Sequence, residues 1–255
     1  MTHVRSITHS IFLYSVTVAT LLFSTVPASQ AVEAASKGFP DEYRETMQRV
    51  LRAFTARDFR KANELLDAAD QIIPDTPMAL NTRGAIAIEE HRYVEGASFC
   101  REALKKDPNY FPSRFNLGEI PFMKKDYVEA RRVFNELLGE KPKPDVKELL
   151  LFRIFLTYLL EKNDNIAADK LADMPFPCDT GAYYYAHAAW EFAHGNREKA
   201  ASWIRSGDWV FTAARNVYFA DVFYDLGWAE RPAASKLPPK LDPSALPPPG
   251  VAPTK

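Results

Sequence analysis

The chain has 255 residues, of which 47% are hydrophobic and 25% are charged, and its formal net charge at pH 7 is −1. This near-neutral balance provides no basic stripe of the kind that nucleic-acid binding requires, so nucleic acid is disfavoured as a partner. About 195 residues lie between two ends of different composition, which is enough for one domain with a continuous core.

The first predicted element is a secretory signal peptide over residues 1–31. A basic residue precedes an apolar stretch at residues 11–23, and a proline and small residues follow. This order predicts cleavage after Ala31, with Ala34 or Ala35 as alternative sites. The stretch is short for a membrane span, although an uncleaved anchor is the alternative, and no cysteine follows it to carry a lipid. We therefore expect an exported protein, periplasmic or secreted, without a stable membrane span after cleavage.

After a linker at residues 32–42, four residue types recur together every 34 residues: an aromatic, a small residue, an apolar residue and a proline. A period of this length indicates a repeat array, in which each unit buries its apolar face against its neighbours. Because proline cannot continue a helix, each unit is predicted to end there. The three sets are Phe59, Ala62, Leu66 and Pro74, then Tyr93, Gly96, Cys100 and Pro108, then Tyr127, Ala130, Phe134 and Pro142.

Two glycines share this spacing. Gly84 and Gly118 lie 34 residues apart inside apolar helical patterns, and Val50 takes the corresponding position of the first unit. Glycine inside a helix costs about 1 kcal/mol relative to alanine, so its recurrence predicts the close approach of a neighbouring helix.

These residues resemble the tetratricopeptide repeat family. That family has a small residue, often glycine, in the first helix of each unit, and a tyrosine, small residues and a closing proline in the second. The units Pro77 to Tyr110 and Phe111 to Pro144 carry the pattern best, and the resemblance covers about Tyr43 to Pro144. It implies antiparallel helix pairs stacked into a right-handed superhelix with a concave groove. It also implies a protein that binds other proteins or peptides and needs no cofactor.

Beyond Pro144 the period drifts, but the helical pattern continues to about residue 231. The fold class is therefore predicted to be all-α over residues 43–231: a right-handed solenoid with about three clear repeats, one or two degenerate ones and a capping helix. Arg153 lies inside the long apolar helix, which favours a buried helix over a membrane span. The further predicted helices are 146–162, 166–173, 182–194, 198–206 and 213–226.

The last segment, residues 232–255, is rich in proline. Such a sequence favours polyproline II and buries too little apolar surface to offset the entropy of ordering, so we expect a disordered tail. A role as a docking ligand is the alternative.

Few residues suggest chemistry. His187 and His194 lie seven residues apart, which is not the spacing of a metalloprotease site, and the neighbouring tyrosines and tryptophan favour an aromatic packing layer. Cys100 is predicted to be a buried apolar residue without a disulfide to Cys178, since distant units of a solenoid do not touch. We predict no catalysis, no metal and no cofactor.

The resemblance also implies where a partner would bind, because the first helix of each unit lines the concave face in that family. The corresponding positions are largely apolar and aromatic, which favours an amphipathic helix or an apolar peptide as ligand. The alternative is that the chain itself fills the groove, through residues 36–45 or the last helix. The predicted groove residues are Arg44, Met47, Leu51, Phe54, Met78, Asn81, Ile88, Phe115, Glu119 and Phe122.

The function predicted from the sequence is therefore an exported adaptor or scaffold that binds a protein or peptide. A structural subunit of an oligomeric envelope assembly, with its apolar faces buried by self-association, is the first alternative. A small hydrolase on a helical scaffold is the second, and it would require a polar pocket among His187, His194 and the tyrosines.

Overall fold

The computed structural model describes residues 38–231, which form eleven helices and no strand. The predicted signal peptide and proline-rich tail lie outside these residues. The helices are α1 (Asp41–Thr55), α2 (Phe59–Ile72), α3 (Pro77–Glu89), α4 (Tyr93–Lys106), α5 (Phe111–Met123), α6 (Tyr127–Gly139), α7 (Pro144–Leu160), α8 (Asp164–Ala172), α9 (Ala182–Ala193), α10 (Arg197–Phe211) and α11 (Ala213–Asp225).

Consecutive helices pack as five pairs, α1 with α2 through α9 with α10, and the pairs stack along the chain. The fifth pair joins the array mainly through α9, which packs on α7, and α11 packs against α9 and α10. The prediction of an all-α solenoid with three regular repeats, two less regular pairs and a final single helix is confirmed. The main differences lie at helix ends, since α7 begins at Pro144 and α10 continues to Phe211.

The recurring residues explain why the units fold alike. The aromatic residue of each set is the first residue of α2, α4 or α6. The apolar residues Leu66, Cys100 and Phe134 of these helices are fully buried. The small residue four positions before each of them is buried as well. Each second helix therefore presents the same narrow stripe to its partner helix.

The two recurring glycines lie at close helix contacts, as predicted. A Cβ added to Gly84 would lie 3.0 Å from Cys100 Sγ and 3.1 Å from the carbonyl oxygen of Gly96. A Cβ on Gly118 would lie 2.6 Å from Cε1 of Phe134. A side chain at either position would therefore require its neighbours in the second helix of the pair to shift.

The turn inside each pair uses a residue in the left-handed region. Arg57, His91, Lys125 and Lys162 have φ between 58° and 62°, and Gly195 takes this role in the fifth pair with φ of 81°. In the first, third and fourth pairs the next residue is an Asp or Asn that caps the second helix by accepting from a backbone N–H three residues on. The turn is therefore conformationally alike in all five pairs, although only one of them contains glycine.

Buried apolar side chains form two clusters. One surrounds Tyr43 and Leu66 and joins the first pair to α3. The larger cluster runs from Phe115 through α7 and α9 to Phe223 of α11. None of the helices between residues 38 and 231 combines the length and apolarity that crossing a bilayer demands.

Candidate functional site

The last helix lies against the first helices of the third, fourth and fifth pairs, which in this architecture should form the inner face. The ring of Phe219 stands edge-on to Phe152 of α7 at 5.3 Å between centroids, and it lies 5.9 Å from Tyr185 of α9. Val222 of α11 shares a small cleft with Phe122 of α5. The chain thus places an amphipathic helix where a bound peptide was expected.

Eight of the ten predicted groove residues are buried in the chain itself: Met47, Leu51, Met78, Asn81, Ile88, Phe115, Glu119 and Phe122. Arg44 and Phe54 are partly exposed. These eight side chains are covered by other residues of the same chain. Their role in binding a partner stays a prediction, and a partner would have to displace side chains of this protein to reach them.

The N-terminal residues of this set pack within and between the first two pairs. Met47, Leu51 and Met78 belong to the core cluster around Tyr43. Phe54 lies against Phe59 of α2, with 5.6 Å between ring centroids. These side chains are occupied by the repeat packing and not by α11.

Asn81 and Ile88 also serve the contacts between helices. Asn81 Oδ1 accepts hydrogen bonds from Ser113 Oγ at 2.8 Å and from Asn116 Nδ2 at 3.0 Å, which joins α3 to α5. Ile88 is fully buried, and a Cβ on Gly96 of α4 would lie 2.7 Å from its Cγ1. The repeat numbering alone does not reveal that these two side chains are turned into the array.

The end of the third unit is where α11 makes its contacts with the predicted groove. Phe122 shares a cleft with Val222, whereas Phe115 packs on Phe134 at 5.5 Å and joins the same buried cluster as Phe219 and Phe223. At Phe122, α11 therefore covers part of the face that the resemblance assigns to a partner.

A buried ion pair lies beside these rings. Arg153 Nε of α7 is 3.0 Å from Glu119 Oε1 of α5, and the side chains are only 3% and 2% exposed. The guanidinium lies 5.7 Å from the ring centroid of Phe122, and its Nη1 has no hydrogen-bond partner among the described residues. Burial raises the pKa of Glu119, although Arg153 acts in the opposite direction.

A second buried carboxylate lies at the end of α3. Glu89 accepts from Arg57 Nη1 at 2.5 Å, and its side chain is 2% exposed. Burial raises the pKa of Glu89 from 4.5 to about 7, in spite of the lowering effect of Arg57. Asp221 of α11 adds to this rise through its negative charge, so α11 reaches electrostatically as far as the second pair.

Asp221 and Asp225 lie on the buried side of α11 and are 4% exposed each. Both form ion pairs with Arg231, which follows the helix. Burial raises the pKa of Asp221, and Arg231, Arg153 and Arg57 lower it. The desolvation of these two carboxylates costs free energy, and this cost offsets part of the stabilisation that α11 gains by burying its apolar side chains.

The connection into α11 is short and strained. Thr212 alone separates α10 from α11, with φ of 64° and ψ of 145°. Positive φ is unfavourable for a β-branched residue. On the favourable side, Asn216 Nδ2 donates to Asp208 Oδ1 at 2.9 Å, and the same oxygen accepts from the Tyr185 hydroxyl at 2.9 Å.

Comparison with known proteins agrees with this geometry. Residues 87–151, which span α4 to α6 and parts of the flanking helices, match the family model described as tetratricopeptide repeat. This part of the chain therefore resembles the tetratricopeptide repeat family, in agreement with its paired helices. A crystal structure of a tetratricopeptide repeat protein from Parabacteroides merdae ATCC 43184 has a similar fold, with a TM-score of 0.57 and 17% sequence identity over 78% of this chain and 77% of that one. No curated protein matches the sequence.

Beyond the regular repeats, both histidines lie in aromatic contacts. His187 stacks on Trp203 at 4.4 Å and His194 on Trp190 at 4.2 Å between centroids, which confirms the predicted packing layer. Tyr183 contacts His187 at 4.5 Å, where the hydrolase alternative required a polar pocket. Residues 38–231 contain no group of three His, Cys, Asp or Glu side chains placed to hold a metal ion.

The two cysteines are also as predicted. Cys100 is fully buried and Cys178 is partly exposed, and both are free thiols. The loop that carries Cys178 is anchored by Glu148 of α7, whose carboxylate accepts from the backbone N–H groups of Asp179 and Thr180 at 2.7 and 2.8 Å. This anchor was not foreseen, because a glutamate in an apolar helix gives no sign of a partner 31 residues away.

Proposed function

We propose that this protein is an exported adaptor that binds a protein or peptide partner through its tetratricopeptide array, without catalysis. The observation that supports the proposal is the seating of α11 against α5, α7 and α9. The face that was expected to receive a partner helix receives one from the same chain, so its shape suits an amphipathic helix.

The contacts of α11 indicate what such a partner would look like. Phe219, Val222 and Phe223 occupy positions i, i+3 and i+4, so they share one face of the helix, and all are at most 4% exposed. Asp221 lies within the electrostatic reach of Arg153 and Arg57. A partner helix with two aromatic anchors on one face, and a carboxylate two residues after the first anchor on another face, would reproduce these interactions.

Exchange of α11 for a partner helix is energetically plausible. Each of its buried apolar side chains contributes about 1.5–3 kcal/mol. Strain at Thr212 costs about 1–3 kcal/mol. The burial of Asp221 and Asp225 opposes the seating further, because Arg231, which forms an ion pair with both, has a side chain that is 34% exposed. Because of this strain and these buried carboxylates, α11 should detach from the array more easily than the other helices.

The experiment compares two baits, the mature chain and its Phe219→Ala, Phe223→Ala variant, in envelope extract from the native host. The proposal expects the variant to retain more of the same partner, because its own helix is seated less firmly. A synthetic peptide of residues 213–226 should compete the partner away, whereas the peptide with Phe219, Val222 and Phe223 changed to serine should not. Equal capture by both baits, unaffected by either peptide, would contradict binding at this face.

Export is part of the proposal and has a direct test. The mass of the N-terminal peptide of the protein isolated from its host should correspond to a chain that begins at Val32. A peptide that retains residues 1–31 in the mature protein would contradict cleavage.

One observation favours a structural subunit as the second candidate. Val94 and Val128 occupy the same repeat position at the starts of α4 and α6, and they are 87% and 68% exposed. Apolar residues at a fixed interval on the outside of an array suit contact with another copy. Sedimentation of the mature chain distinguishes the two candidates, because the Val94→Ser, Val128→Ser variant should dissociate only if this surface joins subunits.

A further inference from the structure

The fifth pair and the loop before it carry a continuous row of partly exposed aromatic rings, some of which also pack against the core on one side. Tyr183 is its centre, with ring centroids of Phe176 at 4.9 Å, Tyr184 at 5.5 Å and His187 at 4.5 Å. Trp203 of α10 stacks on His187. Six rings contact one another in sequence, and we call them the aromatic face: Phe176, Tyr183, Tyr184, His187, Trp203 and Phe211.

These rings differ from the aromatic residues of the core. Phe176 is 66% exposed, and the other five are partly exposed, whereas Tyr185 on the same helix is 2% exposed. The backbone beneath them is closely packed, since a Cβ on Gly207 of α10 would lie 3.0 Å from Cβ of Tyr184. The aromatic face therefore consists of partly exposed rings that are held in place by closely packed helices.

We infer that the aromatic face binds the proline-rich segment of the same chain, residues 232–255. Aromatic rings with open faces are the surfaces on which polyproline II segments dock, because proline rings pack against them and the segment is already extended. The segment contains eight prolines in 24 residues, three of them consecutive at Pro247 to Pro249. This inference is independent of whether α11 exchanges with a partner.

The position at which the segment leaves the helices supports binding within one chain. Trp228, three residues before Arg231, stacks near Phe192 at 5.7 Å, and its carbonyl oxygen accepts from Arg197 Nη1 at 3.1 Å. Phe192 and Tyr183 are both on α9, about 14 Å apart along the axis and about half a turn apart around it, so the segment must pass around the helix to reach the aromatic face. A polyproline II segment of this length extends about 70 Å, which is several times that distance.

Attachment to the same chain also compensates for weak binding. A short tether gives the segment an effective concentration on the order of millimolar at the aromatic face, so even a millimolar dissociation constant yields substantial occupancy. The segment should therefore shield the rings and their neighbours about twofold to tenfold.

Cys178 provides a native reporter of this shielding. It lies two residues from Phe176 and interacts electrostatically with Tyr184, and its thiol is partly exposed, whereas Cys100 is fully buried. The rate of maleimide labelling of the folded, full mature chain at alkaline pH therefore reports on access to the aromatic face. Alkaline conditions are needed because burial raises the pKa of the Cys178 thiol to about 11.

The experiment compares the wild-type chain with the Pro247→Ser, Pro248→Ser, Pro249→Ser variant. We expect the variant to label Cys178 about twofold to tenfold faster, at a ratio independent of protein concentration. A Thr254→Ala variant, which keeps the prolines, should label like the wild type. Equal rates for the wild type and the serine variant would overturn the inference. Protection that grows with protein concentration would also overturn it, because the segment would then bind a second copy.

A second pair of variants tests whether the rings are the site. Both proteins of this pair carry Phe176→Ser, and one of them also carries the three Pro→Ser changes in the segment. Their Cys178 labelling rates should be nearly equal, since the first contact of the segment is gone. Phe176 is exposed, so its replacement should leave the fold intact, which circular dichroism verifies. A difference between their rates as large as that without Phe176→Ser would place the segment elsewhere and overturn the inference.

Discussion

Arg153 and Glu119 form an ion pair in the interior between α5 and α7, with 3.0 Å between Nε and Oε1. The pair lies where α11 covers the inner face, against Phe122 and within electrostatic reach of Asp221. It explains why a long apolar helix contains an arginine: the charge is compensated inside the protein and not at its surface.

Removal of one member of this pair should destabilise the protein strongly. Arg153→Met leaves Glu119 buried and uncompensated, so we expect the free energy of unfolding to fall by about 3–5 kcal/mol. The double variant Glu119→Leu, Arg153→Met should recover most of the loss, because both desolvated charges are gone. Urea denaturation of the two single variants and the double variant measures this. A double variant as unstable as the sum of the single ones would contradict the pairing.

Stability should decrease as the pH rises from 4.5 to about 7, owing in part to Glu89. Its pKa is higher in the folded chain than its ordinary value of 4.5, so the folded state binds more protons in this window. Glu89→Gln should therefore flatten the decrease, whereas Glu64→Gln, on a side chain that is 45% exposed, should not. Urea midpoints across the window measure the slope. An identical slope for wild type and Glu89→Gln would refute the role of Glu89.

The recurring glycine of the third unit should not tolerate a methyl group. A Cβ at Gly118 would lie 2.6 Å from Phe134, so Gly118→Ala should destabilise the protein by about 1–3 kcal/mol. Gly139 at the end of α6 is the matched control, because its added Cβ would meet nothing within 4 Å. There alanine should be neutral or stabilise by up to about 1 kcal/mol. Thermal unfolding of both variants compares them, and equal effects would contradict the close contact.

The left-handed turns offer a stabilising substitution. Lys125 has φ of 62°, which glycine adopts at no steric cost, so Lys125→Gly should raise the free energy of unfolding by about 0.5–1 kcal/mol. Lys124, its neighbour, has φ of −77°, and glycine there should only add freedom to the unfolded chain. Lys124→Gly should accordingly destabilise the protein in the same denaturation assay. Stabilisation by both or by neither would contradict the explanation.

The fold could be predicted from the sequence because several positions of each repeat independently indicate the same helix boundaries and contacts. Phe59, Tyr93 and Tyr127 mark where each second helix begins, and glycine contacts such as that of Gly118 follow the same interval. The helix starts and the glycine contacts are local features, and a 34-residue period repeats them. The last helix, predicted at 213–226 and found at Ala213–Asp225, lies outside this period.

The candidate site could be read only in part, since it depends on contacts between distant segments. The repeat register places Ile88 and Asn81 at groove positions, but their side chains are taken up by Gly96 and by Ser113. The same register cannot show that Glu119 meets Arg153 of a different pair. A repeat pattern describes how neighbouring units pack, and it contains no information about a helix that folds back over them.

Because Thr212 is the only residue between α10 and α11, a change in its dihedral angles would reorient the whole of α11. If Thr212 adopted helical dihedral angles, α10 and α11 would join into one rod from Arg197 to Asp225, about 44 Å long. The rod would carry residue 231 and everything after it away from α9. A partner that takes the place of α11 would then lengthen the distance that the proline-rich segment must span to the aromatic face, which would lower its effective concentration there.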